Sequence, residues 1–458
     1  MSERSVADRI AEYVTSLEFR DLTPEVRREV SRRLVDSLAV MYGAIDAEPV
    51  AIARRVAEKH RTERGATLLS SGTKVSPDMA AFSNGVAVRY LDFNDTYLSK
   101  EALHPSDMIP GLIGLAEYVG ASGRELVTSI VAGYDVALAL ADTATLRDRG
   151  FDHVSNIAFG AAAGAAKILG LDHRRTVQAI NIAGVNAAAL RQTRAGELSM
   201  WKGCAAAYAA RHGVFAAMLA AEGLTGPAPI FEGEMGYWRV IAGAFPALPS
   251  LGGREGQPFR TLMTSIKRWP VEYHSMSAVE AAIELKREVQ DPRRIAGVEI
   301  HTFTVSHKII VKDPEKWRPR TRETADHSLP YITARTLIDG DIWIDSYTDE
   351  KLSDPLLLEV ISKTRVEVDP KYDEIYPGAV PNRVTVRTSD GRTLSKEVIY
   401  PTGHFRNPMS DGQLAEKFRR LVEPVLGPSR SGQLLRLATD VENLRSVSEL
   451  TEFYVRRT

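Results

Sequence analysis

Apolar and charged residues recur with a helical period through the first half of the chain. Residues 5–17 and 23–43 place apolar side chains on one side and charged side chains on the other, as amphipathic helices do. Residues 124–141 and 155–169 are helical in pattern and rich in alanine and glycine. Because small side chains let buried helices approach closely, this part of the chain predicts a bundle of many helices.

The pattern changes beyond residue 223, where prolines and glycines become frequent. Residues 297–305, 382–388 and 394–399 alternate between apolar and polar with period two, which predicts β-strands. The dipeptide Asp390-Gly391 between the last two runs is a strong signal for a hairpin turn. Helical patterns separate these strands, so this part of the chain predicts an α+β domain.

We therefore predict a mainly α protein, with a large all-helical domain at residues 1–266 and a smaller α+β domain at residues 267–404. The α+β domain is inserted before C-terminal helices at residues 405–458. No apolar run is long and charge-free enough to demand a bilayer. The first ten residues lack the apolar core of a secretory signal, and we expect a cytoplasmic protein.

Charge and cysteine content narrow the function. The 58 Lys and Arg residues balance 59 Asp and Glu residues, so no overall charge points to nucleic acid or a membrane surface. An anionic ligand must then be met by local basic groups. A single cysteine, Cys204, excludes an internal disulfide and an iron–sulfur cluster held by several cysteines of one chain, so an aconitase-type dehydratase is excluded.

A polar segment at residues 90–107 lies between apolar segments at 80–88 and 108–116. It contains Asp92, Thr96 and His104, which combine a carboxylate, a hydroxyl and an imidazole. By themselves these residues favour a solvated loop, in which an aspartate caps the next helix and a proline marks its first turn.

Basic residues collect around a second predicted helix start. Arg191 and Arg194 lie in a polar loop, and Lys202 lies near the beginning of the following helix. The free N–H groups and positive dipole at a helix start add to such charges, so an anion is favoured there. Each residue also fits a solvated surface position, and the arginines have less support than Lys202 as carboxylate binders.

The polar segment, Asp152-His153-Val154 and Lys202 resemble the 2-methylcitrate dehydratase family (MmgE/PrpD), which also contains cis-aconitate decarboxylase and iminodisuccinate epimerase. The resemblance extends over nearly the whole chain, through Tyr400-Pro401-Thr402-Gly403-His404. It implies that the C-terminal helices pack back on the helical domain, and it implies a homodimer. The His404 segment is interpreted as a structural domain junction.

The resemblance also implies a set of site residues. The aspartate, threonine, two histidines and lysine that line the pocket in relatives correspond here to Asp92, Thr96, His104, His153 and Lys202. The implied roles are acid and base for the two histidines, with Asp92 orienting one imidazole, Lys202 neutralising a substrate carboxylate and Thr96 donating a hydrogen bond. Lys267 and His274, in segments that open the second domain, are assigned to substrate binding.

The implied reaction is removal of water from 2-methylcitrate, a small tricarboxylate, with no cofactor. This chemistry needs no metal, and the sequence has no tight metal-ligand spacing; a divalent ion on Asp92, Asp95 and His104 is a minor alternative. The spacer before His104 and the aspartate before His153 favour the dehydratases over the decarboxylases. A decarboxylase, an epimerase and an inactive scaffold remain alternatives, because a shared fold does not separate them.

Overall fold

The computed structural model describes residues 4–455 and confirms a mainly α protein, which is 58% helix and 10% strand. The chain divides into two compact units. The first unit comprises the chain up to Thr193, Gly203–Thr264 and the chain from Ser410 onwards; the second comprises Arg194–Lys202 and Ser265–Met409. The segment that contains Arg194 and Lys202 therefore belongs to the second unit, although it falls within the first predicted domain.

The first unit is built from helices that begin at recognisable capping residues. Ser5, Thr23, Ser122 and Asp172 each accept a hydrogen bond from a backbone N–H in the first turn of the following helix. The helices before residue 222 are α1 Val6–Ser16, α2 Pro24–Gly43, α3 Glu48–Ala57, α4 Pro77–Tyr90, α5 Ile109–Val119, α6 Gly123–Ala141, α7 Ser155–Ile168, α8 His173–Val185 and α9 Ala205–Ala221.

Small residues bring α6 and α7 together, as their composition predicted. A Cβ atom on Gly160 would lie 2.6 Å from the Gly133 carbonyl oxygen, so only glycine permits this approach. A short antiparallel pair, β1 Arg61–Thr67 and β2 Lys74–Val75, also lies in this unit. The hydrophobic pattern did not indicate β1, because most of its residues are charged or exposed.

The second unit contains a four-stranded sheet in the order β4-β3-β5-β6. Strand β3 pairs in parallel with β4 and antiparallel with β5, and β5 forms an antiparallel hairpin with β6 around Gly391. The elements of this unit are α10 Met276–Val289, β3 Ile295–Thr302, α11 Thr304–Ile310, α12 Arg322–Ala325, α13 Leu329–Asp339, α14 Asp349–Leu352, α15 Pro355–Ser362, β4 Thr364–Val368, α16 Pro370–Asp373, β5 Asn382–Thr388 and β6 Thr393–Val398.

The chain returns to the first unit through α17 Asp411–Thr439 and α18 Ser448–Thr451. Helix α17 packs on α2, where the Lys417 ammonium lies 2.6 Å from an Asp36 carboxylate oxygen. The same ammonium donates to the Phe93 backbone carbonyl at 2.9 Å and lies 3.6 Å from the centre of the Phe93 ring. A C-terminal helix thus supports the polar segment that contains Asp92.

Within residues 4–455, no helix combines the length and the apolar composition needed to cross a membrane.

His404 is held as a neutral imidazole in the second unit. Its Nδ1 accepts the backbone N–H of Arg406 at 3.0 Å, and its ring stacks on Phe405 with centroids 4.5 Å apart. Burial, followed by the nearby Arg406 charge, lowers the pKa of His404 to about 4. A proton on Nδ1 would remove the hydrogen bond from Arg406.

Replacing His404 with asparagine should reduce the acid dependence of stability. Above pH of about 6.5 the histidine is neutral in the folded and unfolded states, whereas between about 6.5 and 4 only the unfolded state takes up the proton. The free energy of unfolding of the wild-type protein therefore falls as the pH is lowered from about 6.5 to 4. His404→Asn lacks the part of this decrease that comes from the histidine. Urea titrations at pH 7, 5.5 and 4.5 measure the difference; parallel curves for the two proteins would contradict it.

Candidate active site

The sequence-predicted residues fall into two groups, one in each unit. Those in the first unit are Asp92, Thr96, His104, His153 and Arg191, and those in the second unit are Arg194, Lys202, Lys267 and His274.

His104 is fixed by the polar loop between α4 and α5. Backbone hydrogen bonds between Tyr97 and Leu103, at 2.8 and 2.9 Å, bring the loop back on itself and place Thr96 beside His104. The His104 Nδ1 lies 2.7 Å from the Asp95 carbonyl oxygen and 3.1 Å from the Thr96 hydroxyl oxygen. Because a carbonyl can only accept, Nδ1 carries the hydrogen, and the lone pair of the neutral ring is on Nε2.

His153 is oriented by the aspartate that precedes it, just before α7. Its Nδ1 lies 2.8 Å from the Asp152 carboxylate, and Asp152 is fully buried. The backbone N–H of Asp152 donates to the Ala189 carbonyl at 2.8 Å, which fixes the position of the aspartate. The carboxylate contact at Nδ1 points to Nε2 as the atom of this ring that can exchange a proton.

The two imidazoles, here called the histidine pair, lie next to each other. Their ring centroids are 5.7 Å apart at an interplanar angle of 68°, and each residue is less than a tenth exposed. Each ring is oriented through Nδ1 by a different acceptor. The pair therefore offers two fixed proton-exchanging groups within reach of one small molecule, which is the requirement for paired acid and base catalysis.

Asp92 has a backbone conformation that is unusual for a residue other than glycine. Its φ is 52°, and its buried carboxylate forms an ion pair with Arg89, which is also buried. Arg89 Nε lies 3.9 Å from the Asp107 carboxylate as well. The pattern of polar residues did not identify Arg89, because it lies in the apolar run of α4. The orientation of the two rings comes from Asp95 and Asp152, and a role for Asp92 in orienting an imidazole stays a prediction.

Asp95 has a structural role beneath His104. One carboxylate oxygen accepts the Ser106 N–H at 3.0 Å and its hydroxyl at 2.6 Å, and the other accepts the Tyr134 hydroxyl at 2.9 Å. Burial raises the pKa of Asp95, and the bonds from Ser106 partly oppose that rise. This network fixes the backbone whose carbonyl orients His104.

The hydrogen-bonded state of Asp95 makes it a poor metal ligand, which weighs against a divalent ion on Asp92, Asp95 and His104. Within residues 4–455, one group of potential metal ligands has all its ligand atoms within 4.8 Å of one another. It consists of Glu299, His301 and Glu367, on β3 and β4. The Arg387 guanidinium lies 3.3 Å from Glu299 and competes there with a cation.

Lys202 is buried and paired with two residues that the sequence analysis missed. Its Nζ lies 2.6 Å from an Asp326 carboxylate oxygen and 3.1 Å from His327 Nδ1. The sequence feature that could have identified them is the Asp-His dipeptide at 326–327, which also occurs at 152–153. The same dipeptide at 172–173 lies at the exposed start of α8, so the dipeptide alone does not identify a site. An internal carboxylate therefore neutralises Lys202, where we had expected a bound anion to do so.

Lys267 and His274 lie in the second unit around Glu272. Lys267 is fully buried and donates to the Val271 carbonyl at 3.1 Å, and His274 Nδ1 lies 2.7 Å from a Glu272 carboxylate oxygen. Burial acts to raise the pKa of Glu272, but the charges of His274, His327 and Lys267 outweigh it and the pKa falls below its ordinary value. Glu272 is thus a buried carboxylate that sequence reasoning also missed.

The two loop arginines fall in different units. Arg194 donates to the Lys202 backbone carbonyl at 3.3 Å and so supports the turn that carries Lys202. Arg191 is half-buried in the first unit, where its backbone N–H donates to the Gly150 carbonyl at 2.9 Å. A carboxylate-binding role for either side chain stays a prediction.

Family comparison confirms the resemblance seen in the sequence. The MmgE/PrpD N-terminal domain matches residues 8–248, and the MmgE/PrpD C-terminal domain matches residues 269–443. The chain belongs to the MmgE/PrpD family. The first matched region contains the whole first group together with Arg194 and Lys202, and the second contains His274.

Relatives of this MmgE/PrpD protein carry two kinds of name. Human cis-aconitate decarboxylase is 27% identical over 98% of this chain and 95% of its own length. The mitochondrial 2-methylcitrate dehydratase of Yarrowia lipolytica is 28% identical over 85% of this chain and 80% of its own. The 2-methylcitrate dehydratase of Escherichia coli K12 is 27% identical over 83% of each chain. Identity is nearly equal for the two activities, so it does not choose between them.

Proposed function

We propose that this MmgE/PrpD protein is a lyase that removes water from 2-methylcitrate to give 2-methyl-cis-aconitate by acid–base catalysis. The observation that supports this most is the histidine pair, His104 and His153, with ring centroids 5.7 Å apart and each Nδ1 held by an acceptor. Within residues 4–455, this is the pair of histidine rings that pack against each other.

Dehydration requires two coupled proton transfers. The base imidazole takes the proton from the carbon next to a carboxylate, and the electrons of that C–H bond form the new double bond. As the C–O bond on the neighbouring carbon breaks, the second imidazole, in its protonated form, gives its Nε2 proton to the departing hydroxyl, which leaves as water. Each such transfer contributes roughly 100- to 10,000-fold to the rate.

Cationic and polar groups complete the proposal. A developing negative charge on the substrate carboxylate needs a nearby cation, and we assign Lys202 to this role. Thr96 supplies a hydrogen bond to the substrate, while Lys267, His274, Arg191 and Arg194 contribute to substrate binding. These assignments follow the resemblance to the family.

Decarboxylation of cis-aconitate is the second candidate. The human decarboxylase aligns with 98% of this chain, whereas the dehydratases align with 83–85% of it. The spacer before His104 and the Asp152-His153 pair favour the dehydratase. Both reactions use the same proton chemistry beside a carboxylate, so the assay must follow two products.

Purified, chelator-treated protein should convert 2-methylcitrate to a conjugated product without releasing gas. Ultraviolet absorbance reports the new double bond, and a carbon dioxide electrode reports decarboxylation of cis-aconitate in a parallel reaction. Rising absorbance without gas supports the proposal. Gas from cis-aconitate would move the function to decarboxylation, and no reaction with either compound would contradict both assignments.

We also propose that the protein forms a homodimer, as its family resemblance implies. Exposed apolar side chains on the first unit support a self-association surface; they include Val185, Leu190, Tyr208, Phe215 and Met235. Light scattering coupled to size-exclusion chromatography measures the mass, and a monomer at micromolar concentration would contradict the proposal.

A further inference from the structure

Lys316 is a buried lysine that the reaction proposed above does not use. It lies in the turn Pro314–Trp317 of the second unit, and only 2% of it is exposed. Within residues 4–455 its ammonium group makes no ion pair or hydrogen bond, whereas Lys202 pairs with Asp326 and Lys267 donates to Val271. Buried charges are ordinarily paired, so a buried lysine side chain without a paired charge calls for an explanation.

Of the carboxylates that act on Lys316, Asp326 and Glu272 are already paired with other side chains. Burial, and after it the Lys202 charge, lower the pKa of Lys316, while Asp326, Asp313 and Glu272 act in the opposite direction. Asp326 is already paired with Lys202 at 2.6 Å, and a Glu272 carboxylate oxygen lies 2.7 Å from His274 Nδ1. A further anion would therefore be stabilised beside Lys316.

Hydrogen bonds hold the backbone around Lys316 on both sides of the residue. The Lys316 N–H donates to the Asp313 carbonyl at 3.0 Å, and the Ser328 hydroxyl donates to the Lys316 carbonyl. Ser328 also caps α13 and directly follows the Asp326-His327 pair in the chain. One connected segment thus places Lys316 and the partners of Lys202 together, which is the arrangement expected of a preorganised binding group.

We propose that Lys316 binds a carboxylate of a small di- or tricarboxylate ligand, next to Lys202. The identification of that ligand with the substrate rests on the proposed function. The existence of the anion site is inferred separately, from a buried lysine side chain without a paired charge. A ligand with two or more carboxylates is favoured because one carboxylate neutralises Lys316 and another remains for a second cation.

The test measures binding without turnover. Propane-1,2,3-tricarboxylate lacks the hydroxyl that would leave as water, so it reports affinity alone. By titration calorimetry, Lys316→Met should weaken its binding roughly 10- to 100-fold, the loss expected for one charge-assisted hydrogen bond. Lys316→Arg should recover part of the affinity, because it restores a cation. Exposed Lys312, four residues earlier, supplies the control Lys312→Met, which should bind like the wild type.

A stability measurement separates ligand binding from a structural role. Removing an unpaired buried charge relieves its desolvation penalty, so Lys316→Met should melt at or above the wild-type temperature. Wild-type affinity in Lys316→Met, or a lowered melting temperature together with lost binding, would overturn the proposal. If 2-methylcitrate is not dehydrated but binding of the tricarboxylate still depends on Lys316, the proposed reaction fails and the anion site stands.

Discussion

Replacing His153 with asparagine should lower kcat for 2-methylcitrate dehydration by roughly 100- to 10,000-fold without changing the melting temperature. Asparagine removes the proton-exchanging Nε2, while its amide N–H takes the place of Nδ1 beside Asp152, whose carboxylate otherwise would be left buried without its 2.8 Å contact to the ring. The loss should fall mainly on kcat, because the imidazole acts on the reacting atoms and not on the substrate carboxylates.

His104→Asn should have an effect of similar size, since the Asp95 carbonyl can accept the amide N–H in place of the ring Nδ1–H. If the two rings serve one reaction as acid and base, the double variant will be little worse than either single variant. His173, which is half exposed at the start of α8, supplies the control His173→Asn with unchanged kcat. Near-native turnover in both single variants would show that the histidine pair does not carry the reaction.

Replacing Lys417 with methionine should lower the free energy of unfolding by roughly 3–5 kcal/mol. The lysine and Asp36 are both buried, and their charged atoms lie 2.6 Å apart. The substitution therefore leaves the buried Asp36 carboxylate without this cation. It also removes the hydrogen bond to the Phe93 carbonyl, beside Asp92. Urea denaturation followed by circular dichroism measures the change.

A double-variant cycle tests the cause of that loss. Asp36→Leu combined with Lys417→Met removes both charges, so the double variant should be more stable than Lys417→Met alone. Arg419, exposed on the same helix two residues later, supplies the control Arg419→Met, which should change stability by less than about 0.5 kcal/mol. A loss in the double variant equal to the sum of the single losses would mean that the two charges do not stabilise each other.

The helical and strand periods predicted much of the architecture because both periods are local properties of the chain. The turn at Asp390-Gly391 joins β5 and β6, and the glycine-rich runs of α6 and α7 meet at Gly133 and Gly160. Strand β1 escaped this reasoning because its residues are mainly polar and its partner β2 has only two residues. The pairing of β1 depends on how neighbouring elements pack against it, so the alternation of apolar and polar residues along β1 is weak.

Side-chain roles were harder to predict than elements. The resemblance led to His104, His153 and Lys202, but it could not show that Asp95 accepts hydrogen bonds on both oxygens and is structural. Arg89 was overlooked because it follows an apolar run, although it pairs with Asp92 only three residues later. The contact of Asp95 with Tyr134, in contrast, depends on which side chains the packed helices bring within about 3 Å of each other.

By itself, the sequence determined the mainly α fold, the change in character near residue 267, membership of the MmgE/PrpD family and the identity of the candidate residues. Only the tertiary structure decided which acceptor each imidazole Nδ1 meets, and that Lys202 meets Asp326, 124 positions along the chain. It also revealed Lys316 as a buried cation without a partner in the described residues. The reason is physical: periodicity is encoded by near neighbours, whereas the pairing of buried charges depends on distant segments that only folding brings together.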